Sequence, residues 1–251
     1  MIDGIYTATA GASVQIAKND LIANNLANLS TSGFKRQMAI FAERAPESVE
    51  QGVPQSLLDP RFEKIGGGIK LSSMPTDFTP GSAVFTGNPL DIAIDGQGFF
   101  AVKDAQNNTY YTRNGNFTLD SNNDVITTDG KYKLLDSNGN VVNLEAFGNL
   151  DAYHAAGRRI ALYGFSDPQK HAHVGDSLYK DNGNAGFTRE DRPGVSIGSY
   201  RTGYLEGSNV NPITEMVNMI EGYRAYEANM RVVRAHDTVN GRAVNDVGRI
   251  R

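Results

Sequence analysis

Ala23-Asn24-Asn25-Leu26-Ala27-Asn28-Leu29-Ser30-Thr31-Ser32-Gly33-Phe34-Lys35 closes a helical pattern near the start of the chain, and Leu205-Glu206-Gly207-Ser208-Asn209-Val210-Asn211-Pro212 opens another near its end. Between them lies a Gly/Asn-rich region with β signals, so the two helices are separated by a whole domain and yet look built to meet. A chain whose long amphipathic helices sit at its two termini reads as an assembly subunit.

The first helix places Ile5, Ala8, Ala12, Ile16, Ile22, Leu26 and Leu29 near the three-and-four spacing of one face. Small residues dominate its first half, from Ala8 to Ser13. Such a stripe allows close approach by another helix but buries little area, and at about 25 cal/mol per Å² it holds a lone helix weakly. It needs a partner. Ser30-Thr31-Ser32-Gly33 then supplies a stop, with Gly33 suited to a left-handed backbone.

The second helix has a sharper start. Asn211 is placed to cap it, Pro212 occupies the first helical position, and Glu215 sits where a carboxylate suits the positive helix end. Met216, Met219, Ile220, Tyr223, Tyr226, Met230 and Val233 form an apolar stripe, which Val239, Val244 and Val247 extend. The spacing approaches a heptad with departures, so a regular two-stranded coiled coil is one option among several.

Composition narrows the field. The 251 residues are 39% hydrophobic and 21% charged with a net charge of −4, ordinary globular values with no electrostatic case for nucleic acid or an anionic membrane. There is no cysteine, which excludes disulfides and thiolate ligands. Asp3, Gln15, Lys18 and Asp20 interrupt what would be a signal-peptide core, so a cleaved signal is not expected. No apolar run approaches the roughly 18–20 residues that span a bilayer, and no direct membrane insertion is expected.

In the middle, prolines at 46, 54, 60, 75 and 80 and the Gly66-Gly67-Gly68 run forbid long helix, predicting an extended connector or β arm. Short β-rich runs follow at 83–85, 90–94, 99–103, 109–112, 117–119, 125–128, 132–135, 160–165 and 195–197, separated by Asp95-Gly96, Asn114-Gly115, Asp129-Gly130 and Asn138-Gly139. The fold class is therefore α+β. Terminal helices at 1–35 and 205–251, paired in a coiled-coil-like way, flank a connector at 36–82 and an all-β domain at 83–204.

Sites of chemistry find weak support. Gly96-Gln97-Gly98-Phe99-Phe100-Ala101 has a dinucleotide-like glycine pattern, but Phe99–Val102 reads as a strand where that motif requires a helix N-terminus. Asp120-Ser121-Asn122-Asn123-Asp124 starts like a calcium loop, then places Val125 where glycine is needed and Lys131 where a bidentate glutamate belongs, so an Asx-rich hairpin is favoured. His171 and His173, with His154 and His236 elsewhere, lack metal-ligand spacing. No GxSxG, HExxH or P-loop is present. No cofactor, metal or catalytic residue is expected.

The terminal stripes could instead pack on the chain's own β domain, as most amphipathic helices do. The Ala-rich face of the first helix, and the Asn24, Asn25 and Asn28 cluster that needs hydrogen-bond partners when buried, favour assembly.

At this point the residues resemble a known family, the axial proteins of the bacterial flagellum. Ala23–Asn28 with Ser32-Gly33-Phe34-Lys35 is similar to its N-terminal signature. Thr86-Gly87-Asn88-Pro89-Leu90-Asp91-Ile92-Ala93-Ile94, Gly96–Phe100 and Tyr111-Thr112-Arg113-Asn114-Gly115-Asn116-Phe117 resemble its central motifs. Leu205–Val210, Met216-Val217 and Arg224-Ala225-Tyr226-Glu227-Ala228-Asn229 resemble its C-terminal signature. The likeness spans nearly the whole chain. Its length fits the rod proteins of the FlgF/FlgG type, and Ile5-Tyr6-Thr7-Ala8 with Gly241–Ile250 looks more like the proximal-rod FlgF type. Leu29-Ser30-Thr31-Ser32 departs from the usual pattern at that position.

The resemblance implies a structural subunit of the basal-body rod, a shaft crossing the periplasm between motor and hook, with no enzymatic activity. Its partners would be other copies, other rod proteins and the flagellar type III export apparatus. The implied assembly interface comprises Ile5, Ala8, Ala12, Ile16, Ile22, Asn24, Asn25, Leu26 and Asn28, then Leu205, Glu206, Asn209 and Val210, then Met216, Ile220, Tyr223, Tyr226, Met230 and Val233. A secreted β-domain adhesin is the alternative, and a carbohydrate-active enzyme on a β scaffold would need two carboxylates across a cleft.

Overall fold

A computed structural model describes residues 2–44, 68–165, 172–175, 177–180, 187–189 and 197–248. The chain divides into two compact units, one drawn from Met1–Ala27, Gln37–Pro75 and Asn211–Arg251, the other from Asn28–Arg36 and Thr76–Val210.

The first unit holds two long helices, α1 (Ile2–Ala27) and α3 (Pro212–Gly248), with a hairpin of β1 (Ile40–Glu43) and β2 (Ile69–Ser73). The start of α3 follows from its sequence: the Asn211 side-chain oxygen accepts from the amides of Ile213 (3.0 Å) and Thr214 (3.2 Å), satisfying two otherwise orphaned donors of the first turn. Proline at the first helical position loses no hydrogen bond there. The β arm is antiparallel, pairing Phe41 with Leu71 and Glu43 with Ile69, with a bulge after Ile40. Most of its proline-rich connection lies outside the described residues.

The second unit is β-rich. In chain order it comprises β3 (Ala83–Phe85), β4 (Ile92–Gly96), β5 (Phe99–Lys103), β6 (Thr109–Thr112), β7 (Phe117–Leu119), β8 (Val125–Thr127), β9 (Lys133–Leu134), α2 (Leu150–Ala155), β10 (Leu162–Phe165), β11 (Ala172–Gly175), β12 (Leu178–Lys180), β13 (Phe187–Arg189), β14 (Gly198–Thr202) and β15 (Tyr204–Glu206). The main sheet runs β11-β12-β6-β5-β9-β8-β7, with β10 bridging β5 and β13. Two ribbons, β14 with β4 and β15 with β3, complete it. Every one of these pairings is antiparallel, as short strands joined by tight turns require.

Strand β5 is buried on both faces. Phe100 and Val102 join Ile92, Phe117, Val125, Leu134, Leu150 and Tyr153 in the main core, while Phe99 and Ala101 enter a second, aromatic cluster with Tyr111, Leu135 and Tyr179. Its apolar run therefore lacks the alternation of a half-solvated strand. The turns carry the expected chemistry, with Asn123, Gly130 and Gly139 at φ of 60°, 73° and 82°. Of the strand expected at 195–197, residues 195 and 196 lie outside the described residues, and β14 occupies Gly198–Thr202; the turn of helix at Leu150–Ala155 was not expected, and Asn149 caps it through the amide of Ala152 (2.7 Å).

That short helix carries His154, whose Nε2 stands 2.7 Å from the hydroxyl of Tyr200 on β14, with the rings 4.7 Å apart. Burial pushes the imidazole below its ordinary value, Arg159 adds to the effect, and Asp151 opposes it. A base with a depressed folded pKa binds its proton first in the unfolded chain, so stability is full above the unfolded value and falls as pH drops through that value toward the folded one. The melting temperature should therefore decline between about pH 7 and 5, a window above that of ordinary carboxylates. His154→Gln should flatten the decline in a thermal-melt series, and equal slopes for the two proteins would show that this histidine does not contribute.

Candidate assembly site

The second unit holds a buried ionic cluster, built where three quoted motifs converge. Glu206, at the end of β15, is 2% exposed, and its Oε1 lies 2.5 Å from Lys35 Nζ while its Oε2 lies 3.0 Å from Arg113 Nη1. Lys35 and Arg113 are equally buried. The remaining donors are largely satisfied: Lys35 Nζ also donates to the Thr79 carbonyl (2.8 Å), Arg113 Nη2 to the Gly96 carbonyl (2.7 Å), and Glu206 Oε1 accepts from the Gly81 amide (2.9 Å). The Arg113 guanidinium lies over the Phe99 ring at 5.1 Å. Its Nε is buried without an acceptor.

Backbone geometry completes the lock. The Gly33 amide donates to the Glu206 carbonyl (2.8 Å), with Gly33 at φ 68° and so close to Arg113 that any Cβ would overlap the Arg113 backbone. Asn209 accepts from the Arg36 amide (2.7 Å) and donates to the carbonyls of Asp77 (2.8 Å) and Thr79 (3.1 Å). Segments from both ends of the sequence are thus bound to the β unit by charge-assisted bonds. Burial pulls Lys35 and Arg113 below their usual pKa values while Glu206 pulls both back up, and burial raises Tyr179 nearby. One carboxylate serves two cations.

In the first unit, α1 and α3 lie antiparallel, with Gly11 against Asn229 and Gly222 against Asn19. Ala8, Ala12 and Ile22 are buried and Ile5 and Leu26 half-buried, whereas Ile16 is 47% exposed. Asn25 is buried and pairs both ways with the Gln37 backbone, donating to its carbonyl (2.9 Å) and accepting from its amide (3.0 Å). Asn24 is exposed.

The α3 stripe divides in two. Tyr226, Met230 and Val233 are half-buried beside buried Gly222, on the face toward α1. Met216, Ile220 and Tyr223 lie on another face and are 46%, 54% and 57% exposed, together with Ile213 and Val217. Asn28, whose side chain accepts from Thr31 Oγ1 (3.1 Å), belongs to the second unit, as do half-buried Leu205 and Asn209, Glu206, and buried Val210.

The weighed chemical motifs have structural uses. Asp120 Oδ1 accepts the amides of Asn122 (2.7 Å) and Asp124 (2.9 Å), an Asx turn. His173 lies in β11, His236 faces Gly4 on α1, and His171 is outside the described residues. Among the described residues no three potential ligands gather as a metal site would require, and no helix is long and apolar enough to cross a membrane. The residues missed by sequence reasoning are Lys35 and Arg113; each is the lone charge of its motif, as Glu206 is of its own, and that was the available signal.

Helical ends that expose an apolar face, and a β unit cross-tied by motifs from both ends, define a structural assembly subunit. The family described as Flagella basal body rod protein matches residues 5–35, the Flagellar hook protein FlgE/F/G D1 domain matches 93–145, and the Flagellar basal body rod FlgEFG protein C-terminal family matches 201–246. Over 252 residues the chain is 32% identical to the flagellar basal-body rod protein FlgG of Buchnera aphidicola subsp. Acyrthosiphon pisum, covering 94% of this chain and 96% of that protein. The FlgG of Borreliella burgdorferi is 30% identical over 262 residues, 98% of each chain, and the flagellar hook-basal body complex protein FlhO of Bacillus subtilis is 28% identical over the full length of both. The chain belongs to the flagellar basal-body rod protein family: it is a structural rod protein of the basal body and not an enzyme, and the adhesin reading finds no support.

Removing one partner of a buried ion cluster strands the others in a low-dielectric site. Glu206→Ala should destabilise the β unit by about 3–5 kcal/mol, read as a shifted denaturation midpoint. A loss below ~1 kcal/mol, the range of a surface ion pair, would mean that the cluster is effectively solvated.

Proposed function

We propose that the chain polymerises through its terminal helices into the rod, the shaft that transmits torque between motor and hook, with other rod proteins as neighbours. The observation that carries this is the outward strip of α3. With one face of the helix already turned to α1, Ile213, Met216, Val217, Ile220 and Tyr223 still stand 46–71% exposed over three consecutive turns. Contiguous apolar surface on a soluble unit marks a contact with another molecule. In a coiled-coil-like arrangement the α1–α3 pair presents this strip to the neighbouring subunit's helices, and a heterologous contact that repeats without closing extends into a helical assembly. Ile16 on α1 is exposed as well, at 47%. Export through the flagellar type III apparatus to a periplasm-spanning position accords with the resemblance already described. Placement as the proximal FlgF type rests on Ile5–Ala8 and Gly241–Ile250 alone, while the relatives compared above include FlgG proteins.

Two substitutions separate the faces of α3. Ile220→Asp should leave the dilute chain folded and helical by circular dichroism yet abolish polymerisation and swimming in a complemented strain, since burying an unpaired charge costs about 3–5 kcal/mol at every repeat. Met230→Asp should instead disrupt the helix pair in the monomer. Normal rods from Ile220→Asp would refute the proposed role of the strip.

A further inference from the structure

The α1–α3 contact has a feature that apolar packing does not explain. Gly4 on α1 meets His236 on α3, and a Cβ on Gly4 would stand 3.0 Å from His236 Nε2. Seven residues further along α1, Gly11 meets Asn229, with a Cβ 3.0 Å from its Nδ2. At the third step the sizes reverse: Asn19 is on α1, and a Cβ on Gly222 of α3 would overlap its Oδ1. Each rung sets a polar side chain against a glycine. On α3 the rungs are seven residues apart, at 222, 229 and 236.

Glycine inside a helix is unfavourable relative to alanine, so the three rung glycines, two on α1 and one on α3, need a compensating reason. Close approach supplies it, because each glycine is the hollow for the opposing side chain. Gly241, on the same helix, has no atom within 4 Å of an added Cβ and serves as the contrast. A second observation concerns Asn19 itself. It is 7% exposed, and its Oδ1, the atom aimed at Gly222, has no hydrogen-bond partner. Its fit there is therefore one of shape more than of hydrogen bonding.

We propose that Gly4–His236, Gly11–Asn229 and Asn19–Gly222 are register-determining rungs that select one alignment of α1 along α3. A slip of one heptad in one direction sets Gly11 against His236 and drives Asn19 into Asn229. A slip in the other direction sets Gly11 against Gly222, leaving a void, and brings Asn19 against Glu215. The apolar positions discriminate little, because small Ala8 and Ala12 accept several neighbours; polar residues at a helix seam are an established means of fixing register.

The absence of cysteine makes a cross-linking test direct. Between the first two rungs, buried Ala8 of α1 and half-buried Val233 of α3 occupy the facing sides of the pair, while heptad slips would bring Ala8 to Tyr226 or Asn240. In the dilute full-length chain, Ala8→Cys with Val233→Cys should cross-link readily on mild oxidation, and Ala8→Cys with Tyr226→Cys or with Asn240→Cys should not. Adding Gly222→Ala to the Ala8/Val233 pair should lower its yield about tenfold, the population change of a displaced two-state equilibrium. Adding Asn19→Ala as well should restore the yield, and Gly241→Ala should leave it unchanged. Should Gly222→Ala melt the helices by circular dichroism, recovery in the Asn19→Ala/Gly222→Ala chain remains the deciding readout. An unchanged yield with Gly222→Ala, or no recovery in the double variant, would overturn the proposal.

Discussion

The structure depends on one buried carboxylate. Glu206 is sealed from water with Lys35 and Arg113, so its charge is compensated only while residues separated by 93 and 171 positions stay together. Transferring such charges from water costs more than an ordinary packing contact returns, and the arrangement persists because backbone carbonyls and amides take up most of the remaining hydrogen-bonding capacity. An ionic cluster of this kind tolerates little slippage, since a displaced partner leaves a bare charge.

The first unit works by a different principle. Its helices meet through small residues and glycine hollows, with the larger apolar groups of α3 shared between an inner and an outer face. An alanine-rich seam contributes modest burial energy, and the outer strip of Ile213, Met216, Val217, Ile220 and Tyr223 stays open to solvent. The ion cluster makes the β unit specific, while the helices leave apolar surface exposed, which the proposed assembly would cover.

Much of this was legible in the sequence because the signals were local. Asn211-Pro212 announced the start of α3 through capping chemistry, Gly33 announced a left-handed residue, and the Asn- and Gly-containing turns of the middle marked strand ends within a few residues. The run Phe99–Val102 read correctly as a strand because a helix N-terminus, which the glycine pattern before it would need, has no place in that context. What stayed hidden depends on distance in the chain. Nothing local in Ser-Gly-Phe-Lys or Tyr-Thr-Arg-Asn-Gly discloses that Lys35 and Arg113 share one carboxylate, and a period near 3.6 does not tell which of two apolar faces on α3 meets α1. Helix α2 was missed because six residues carry too little periodicity, its one clear mark being the Asn149 cap.

Native-state hydrogen exchange on the full chain tests the central claim, that the Glu206 cluster makes the terminal segments integral to the β unit. The amides of Gly33 and Gly81 both donate to Glu206, and should open only with the core amides of Val125 and Leu135, at the same free energy and the same denaturant dependence. Exchange of Gly33 and Gly81 at loop-like rates, while Val125 and Leu135 stay protected, would show that the cluster frays independently and would contradict the account.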